Sequence, residues 1–307
     1  KERLGKMAEF KNINNLKVKY FDGDITPGCL VLEGGAFRGI YTAGVLDYFM
    51  EHNLNIKTCY GVSAGALTAT NYIAGAFGRS ALLILEFRNE KRYVGLKAFR
   101  ESGSLIGFRF MFEDLAEIYP LNEEKIFKGD RNLNIVATNV ETGKADYFTN
   151  KEGREIFYDA IKASASLPII SKMVEINGNK YLDGGIATKI PIRKAIEDKN
   201  DKIIFIGTRQ SDYRRKPVGK EVEIVKKQYA DYPNFVESYM NANTGYNDDC
   251  DLIDQLVLQK KVYSLTPSRP VTITRLEKDL DKLSDLYYLG YFDAMSHFDE
   301  IKEFLNS

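Results

Sequence analysis

The segment Cys29-Leu-Val-Leu-Glu-Gly-Gly-Ala-Phe-Arg-Gly39 joins a short apolar run to a glycine-rich turn. Residues 29–33 have the length and composition of a buried parallel strand, and the two glycines end it. Apolar and small residues then recur at helical spacing over residues 40–52. The segment therefore predicts a strand, a tight turn and a helix in succession.

A second unit of the same kind follows directly. Residues 58–62 indicate a strand, Gly61-Val-Ser-Ala-Gly65 a tight turn, and residues 64–76 a helix of small residues. Strands that alternate with helices are typical of a parallel sheet covered on both faces. We therefore predict a three-layer α/β/α fold with a mostly parallel central sheet. Further strands are predicted at 133–140, 145–149, 173–176, 180–182 and 202–207, and further helices at 154–165 and from residue 191.

Composition excludes several classes of protein. The 307 residues include 43 Lys and Arg against 43 Asp and Glu, whereas a general nucleic-acid binder needs a positive surplus. No run approaches the roughly 18 apolar residues of a membrane span. Residues 1–20 lack the apolar stretch of a signal peptide, and three widely spaced cysteines suit free thiols. We therefore predict a cytoplasmic protein with no nucleic-acid partner.

The turn around Ser63 has the G-x-S-x-G pattern, with Gly61 and Gly65 two positions away on either side. A serine on a tight strand-to-helix turn has a strained backbone and an exposed hydroxyl. The small flanking residues allow the strand and the helix to pass closely. The pattern therefore predicts a nucleophile, and an ordinary serine in a βα turn is the alternative.

The glycine-rich loop of residues 34–39 has two chemical interpretations. It could bind a phosphate through backbone N–H groups, or it could supply an oxyanion hole for acyl transfer. A dinucleotide-binding loop needs glycine where the chain has Ala36, and no acidic residue ends the second strand. Parallel neighbouring strands place both turns at one sheet edge. The adjacent Ser63 therefore favours the oxyanion hole.

A nucleophilic serine needs a base, and the sequence offers three candidates. Asp183 ends a short predicted strand in Asp183-Gly-Gly185, where its carboxylate could accept the serine proton directly. His52 is expected to end a helix and His297 to lie in an amphipathic helix, so both have structural interpretations. Since these are the only histidines, a His-rich metal site is excluded. We predict Asp183 as the base.

Taken together, Glu33-Gly-Gly-Ala-Phe-Arg-Gly39, Gly61-Val-Ser-Ala-Gly65 and Asp183-Gly-Gly185 resemble the three motifs of the patatin-like phospholipases, in the family's order. The segment Ala163-Ser-Ala-Ser-Leu-Pro168 is also similar to the family. The resemblance covers residues 29–207, and the tail resembles a bacterial branch with a helical C-terminal extension. Alanine at position 36 departs from the family's G-x-G-x-x-G loop; a positive φ there would cost about 1 kcal/mol or more.

The resemblance implies a role for each motif residue. Ser63 would be the nucleophile and Asp183 the general base, and Arg38 would steady the loop or meet a substrate anion. The oxyanion hole and the substrate-binding loop would comprise Gly34, Gly35, Ala36, Arg38 and Gly39. The reaction would be two-step hydrolysis of a carboxylic ester of a phospholipid or related acyl lipid, with no metal and no cofactor. Contact with a membrane surface and the oligomeric state stay open.

Three divisions of the chain are expected: an arm at 1–28, a patatin-like catalytic domain at 29–210 and a mainly helical extension at 211–307. In the extension, residues 279–305 carry an apolar stripe at helical spacing, and Gly290, a weak helix former, lies in the middle of it. Residues 105–112 are strongly apolar and would form either core or a flap over the site.

Two alternative functions remain. One is an α/β-hydrolase with a triad of Ser63, an acid and His297. The glycine loop argues against it, because no histidine precedes that loop. The other is a catalytically silent lipid-binding scaffold. The presence of all three intact motifs argues against it.

Overall fold

The computed structural model describes residues 16–307, so most of the predicted N-terminal arm lies outside the described residues. Its strands are β1 (Lys19–Tyr20), β2 (Ile25–Leu32), β3 (Asn55–Val62), β4 (Ala76–Phe77), β5 (Asn132–Asn139), β6 (Ala145–Thr149), β7 (Val174–Ile176), β8 (Asn179–Asp183), β9 (Ile203–Ile206) and β10 (Val262–Leu265).

The helices alternate with these strands over much of the chain. They are α1 (Ile40–Glu51), α2 (Ala64–Ile73), α3 (Arg79–Phe87), α4 (Leu96–Ser102), α5 (Phe108–Phe112), α6 (Glu123–Phe127), α7 (Arg154–Ser164), α8 (Ile192–Glu197), α9 (Glu221–Gln228), α10 (Pro233–Leu258) and α11 (Leu280–Asn306). None of the helices described is both long and apolar enough to cross a bilayer.

A mixed sheet of eight strands forms the centre of the fold. Its order is β10-β9-β2-β3-β5-β8-β7, with β6 also paired to β5. The five strands from β10 to β5 are parallel to one another. Strands β6 and β8 run antiparallel to β5, and β7 runs antiparallel to β8. The predicted mostly parallel sheet is thus confirmed.

Alternation along the central strands divides the core into two layers. Leu30 and Leu32 of β2 pack into a large cluster with apolar residues of α1, α2 and α11. Cys29 and Val31 point the opposite way, into a cluster with residues of α8 and α10. Because strand side chains alternate between faces, this division shows helices on both sides of the sheet. The predicted α/β/α layering is therefore confirmed.

The predicted strands and helices of residues 29–207 all form, with ends that differ by a few residues. Strand β2 starts at Ile25, ahead of the predicted start at residue 29. The charged tail also contains a strand that the sequence did not predict. Strand β10 has four residues, of which only Val262 and Leu265 are buried, and it pairs with β9 at the sheet edge. A strand this short and half-buried shows almost no alternation of apolar and polar residues by which the sequence could indicate it.

Helix α11 runs unbroken through Gly290, in agreement with the apolar stripe of residues 279–305. The glycine is needed for a close helix crossing. A Cβ atom on Gly290 would lie 2.1 Å from the carbonyl oxygen of Tyr41 in α1. Conversely, a Cβ atom on Gly44 of α1 would lie 2.0 Å from the carbonyl oxygen of Tyr287 in α11. Helix α1 directly follows the loop of residues 34–39. The crossing therefore supports that loop.

We expect Gly290→Ala to destabilise the fold, because its methyl group would meet backbone that cannot rotate away. Overpacking of this kind costs about 1–3 kcal/mol. The matched control is Gly245→Ala in α10, where a Cβ atom meets nothing within 4 Å. That change should stabilise by about 0.5–1 kcal/mol through helix propensity. Urea unfolding of both variants measures the difference, and equal midpoints would contradict this account of the crossing.

Candidate active site

The two glycine-containing turns lie side by side at one edge of the sheet. Strands β2 and β3 are parallel neighbours, with Leu32 opposite Gly61. A Cβ atom on Gly65 would lie 2.5 Å from the Leu32 carbonyl oxygen, and one on Gly39 would lie 2.7 Å from the Cβ of Ala64. Glycine at these positions lets α2 approach β2 and the 34–39 loop. The contact places Ser63 beside that loop.

Ser63 has an unusual backbone conformation, with φ 53° and ψ −119° at the start of α2. A side chain in this region stores about 1–3 kcal/mol of strain. The Ser63 N–H donates to Ser164 Oγ at 2.8 Å, which holds the turn from the end of α7. Ser63 is 9% exposed and lines two adjoining cavities.

The loop of residues 34–39 presents backbone donors next to Ser63. Among the described residues, the N–H groups of Gly35 and Ala36 donate to no backbone acceptor. Ala36 has φ 49°, so the alanine takes the positive φ expected to cost stability. The fully buried Glu33 accepts a hydrogen bond from the Thr208 N–H at 2.6 Å, which fixes the loop to the segment after β9.

Asp183 reaches the same cavity from the end of β8. Its carboxylate accepts the Gly185 N–H at 2.7 Å, and its carbonyl accepts the Thr138 hydroxyl at 2.8 Å. Its own N–H donates to the Ser166 carbonyl at 2.8 Å. The end of α7 and the turn after it therefore contact both motifs, since Ser164 accepts the Ser63 N–H and Ser166 accepts the Asp183 N–H.

Burial raises the pKa of Asp183 above the ordinary value for aspartate. The Gly185 N–H, the Ser63 hydroxyl, Lys189 and Arg275 act in the opposite direction and favour the charged carboxylate. A more basic carboxylate is a better proton acceptor. Ser63 and Asp183 line the same cavity.

Two cationic side chains close to the loop have lowered pKa values. Burial, aided by the positive charges of Arg209, Arg215 and Arg275, lowers the pKa of Arg38 to about 10. Burial of the Lys189 ammonium group, together with Arg215, lowers its pKa to about 7, although Asp183 opposes this change.

The two cavities that share Ser63 differ in character. One is lined mainly by apolar side chains, among them Leu67, Leu83, Ile106, Met111, Phe112 and Leu167. The other contains Asp183 and basic side chains. Residues 105–112 supply part of the apolar wall, and Phe108, Phe110 and Met111 are buried. This segment therefore packs into the core and also lines the apolar cavity.

Neither histidine lines either cavity. His52 follows α1, stacks on Tyr48 at 3.9 Å and bonds to the Tyr48 carbonyl. His297 lies on α11 and bonds to the Tyr263 hydroxyl at 2.7 Å. The described residues also contain no group of three or more metal-ligating side chains.

Sequence reasoning missed several residues of this site. Ser164 lies in the segment singled out for its resemblance to the family, but nothing in the pattern shows that its hydroxyl meets Ser63. Lys189 comes four residues after the Asp183-Gly-Gly185 motif, but no pattern indicates that it lines the cavity. Thr208, Arg215 and Arg275 are distant in sequence from all three motifs and adjoin them only in the folded chain.

Comparison with known proteins agrees with this arrangement. The family model for patatin-like phospholipase matches residues 30–196, which is more than half of the chain. The chain belongs to the patatin-like phospholipase family of lipid acyl hydrolases, and the resemblance is confirmed. A second model, a domain of unknown function (DUF6363), matches residues 232–306.

Three relatives illustrate the range of similarity. The uncharacterized protein YjjU of Escherichia coli (strain K12) is 28% identical, over 91% of this chain and 78% of its own. The probable lipid hydrolase 463L of Invertebrate iridescent virus 6 is 29% identical, over 66% of this chain and 74% of its own. Patatin-like phospholipase domain-containing protein 2 of Bos taurus is 30% identical, over 52% of this chain and 33% of its own.

We expect Gly65→Ala to lower ester hydrolysis by about 100-fold while the protein stays folded. The added methyl group would push α2 away from β2 and move Ser63 relative to the 34–39 loop, and misplacement by about 1 Å can cost that much. Gly245→Ala, at an open position, is the control. Initial rates on a soluble ester measure the effect, and a Gly65→Ala rate equal to that of the control would refute this role of the close contact.

Proposed function

We propose that the protein hydrolyses carboxylic esters of acyl lipids through a Ser63–Asp183 dyad and a covalent acyl-enzyme. The observation that carries the proposal is that a strained, almost fully buried serine shares one cavity with a buried aspartate and with backbone N–H groups that donate to no backbone acceptor in the part of the chain that the structure describes. In this proposal they act as a nucleophile, a base and an oxyanion site that line one cavity.

In the first step, Ser63 Oγ attacks the ester carbonyl carbon and its proton passes to an Asp183 carboxylate oxygen. The carbonyl oxygen becomes negative, and the N–H groups of residues 34–36 stabilise it. The bond from the carbonyl carbon to the alcohol oxygen then breaks. The leaving alcohol takes the proton from Asp183, and the acyl group stays on Ser63.

In the second step, water attacks the acyl carbon and gives its proton to Asp183. The bond to Ser63 Oγ breaks, the proton returns to the serine, and a fatty acid leaves. Every charge that develops is met by a backbone dipole or a side chain already in place. The residues of the site are therefore sufficient without an additional group.

The apolar cavity supports an acyl lipid as the substrate. It begins at Ser63 and extends between α2, α3 and the 105–112 segment, so a hydrocarbon chain attached to the reacting carbonyl would be removed from water there. Acyl lipids are held in membranes or micelles. The proposal therefore includes transient contact with a membrane surface.

We expect Asp183→Asn to lower turnover of a soluble ester by about 10²- to 10⁴-fold, the usual contribution of a general base. Asparagine keeps the shape of the side chain but cannot accept the proton. Ser63→Ala should abolish activity. His297→Ala, at a position that lines neither cavity, should keep wild-type turnover once folding is verified by circular dichroism.

Each alternative function predicts a different pattern of rates for the wild-type protein and these variants. If His297→Ala were inactive and Asp183→Asn active, a serine–histidine triad would replace the dyad. If the wild-type protein hydrolysed no ester, the scaffold alternative would stand.

The pH dependence of kcat should follow the carboxyl group of Asp183. Its pKa is raised in the folded protein, and it must be unprotonated to act as a base. The rate should therefore fall as the pH drops through a value above the ordinary range for aspartate. A pH–rate profile on an uncharged ester tests this expectation, and a rate that stays constant down to the ordinary aspartate range would count against Asp183 as the base.

A further inference from the structure

The cavity that contains Asp183, which we call the basic cavity, is surrounded by positive charge. Arg38, Lys189, Arg215 and Arg275 all line it, whereas Asp183 is the only carboxylate among its lining residues. The Glu33 carboxylate lies behind the loop, where it accepts the Thr208 N–H and pairs with Arg215 at 3.5 Å. The cavity therefore has more cations than its own anions can balance.

Two of the guanidinium groups have unused hydrogen-bonding capacity. Arg38 is only 3% exposed, and its Nε has no hydrogen-bond partner among the described residues. The Arg215 side chain is 9% exposed, and its Nε also has no partner within this part of the chain. A buried cation without full pairing is costly, so both groups favour an anionic ligand. Phosphate suits the planar, forked guanidinium group particularly well.

Arg215 and Arg275 lie outside residues 30–196, the part matched by the patatin-like model. The backbone of Arg215 is clamped by Asn247 of α10, which accepts the Arg215 N–H at 2.7 Å and donates to its carbonyl at 3.0 Å. The match to the domain of unknown function, residues 232–306, contains both Asn247 and Arg275. The C-terminal region therefore supplies or positions half of these cations.

Arg275 belongs to the segment of residues 266–279, which connects β10 to α11 across the site. The Phe37 N–H of the glycine loop donates to the Arg275 carbonyl at 3.2 Å. Arg88 donates to the Leu276 carbonyl at 2.6 Å, and Arg209 donates to the Val271 carbonyl at 2.6 Å. Leu276 itself lines the apolar cavity. The 266–279 segment thus contributes to both cavities, on either side of Ser63.

We propose that the basic cavity binds the phosphate of a negatively charged lipid head group, and that the 266–279 segment and Arg215 give the enzyme its preference for such lipids. This inference rests on the proposed function, since it assigns the other end of the same substrate. With the acyl chain in the apolar cavity and the phosphate beside Arg38, the ester carbonyl lies between them, at Ser63.

Initial rates on three monomeric substrates test the preference: dihexanoyl phosphatidate, zwitterionic dihexanoyl phosphatidylcholine and uncharged p-nitrophenyl hexanoate. We expect wild-type kcat/KM for phosphatidate to exceed that for phosphatidylcholine by about 10-fold or more, from charge-assisted hydrogen bonds. Arg275→Gln should lower that ratio about 5- to 10-fold, mainly through KM. Arg269→Gln, an exposed arginine of the same segment that lines neither cavity, should leave it unchanged.

A second variant addresses the buried side of the cavity. Arg215→Lys keeps a positive charge beside Glu33 but loses the planar fork. It should also reduce the preference for phosphatidate over phosphatidylcholine. Equal wild-type rates on the two lipids, or a ratio that Arg275→Gln and Arg215→Lys leave unchanged, would overturn the proposal.

Isothermal titration with sn-glycerol 3-phosphate separates this inference from the proposed function, because it requires no turnover. Binding that weakens in Arg275→Gln but not in Arg269→Gln supports the anion site, even if no ester is hydrolysed. Hydrolysis of p-nitrophenyl hexanoate without any binding of glycerol phosphate would preserve the proposed function and refute the phosphate site.

Discussion

The site depends on one constraint, which is the close approach of the Ser63 turn to the loop after β2. Ser63 is held at φ 53° by glycines at positions 61 and 65 and by a hydrogen bond to Ser164. A strained backbone persists only where its surroundings fix it. Here strand pairing, the packing of α2 and the end of α7 do so together. The serine hydroxyl therefore stays beside the backbone donors instead of relaxing away from them.

The C-terminal region is an integral part of this arrangement. Strand β10 extends the central sheet beside β9, and α11 crosses α1 at two glycines. Helix α1 begins where the glycine loop ends, and the 266–279 segment is hydrogen-bonded to that loop at Phe37. The residues after 210 thus support the loop and contribute Leu276 to the apolar cavity and Arg215 and Arg275 to the basic one. Loss of this region would be expected to affect the site as well as stability.

The parallel core and the three motifs could be predicted from sequence because their signals are local. The apolar run ending at Glu33 and the small residues around Ser63 each specify a strand, a turn or a helix within a few positions. Strand β10 could not be predicted, since its pairing with β9 joins residues about 60 apart in a short edge strand. The role of Gly290 could not be predicted, because a helix crossing leaves no local pattern. The basic cavity was missed because Lys189, Arg215 and Arg275 meet only in the folded chain.

The most direct test of the account is covalent labelling with a fluorophosphonate probe, followed by peptide mass spectrometry. A serine activated by Asp183 beside backbone N–H donors should attack the phosphorus atom and retain a tetrahedral phosphonate. The account predicts one adduct, on the peptide that contains Ser63, and slower labelling of Asp183→Asn. Labelling that persists in Ser63→Ala, or that maps to another residue, would contradict it.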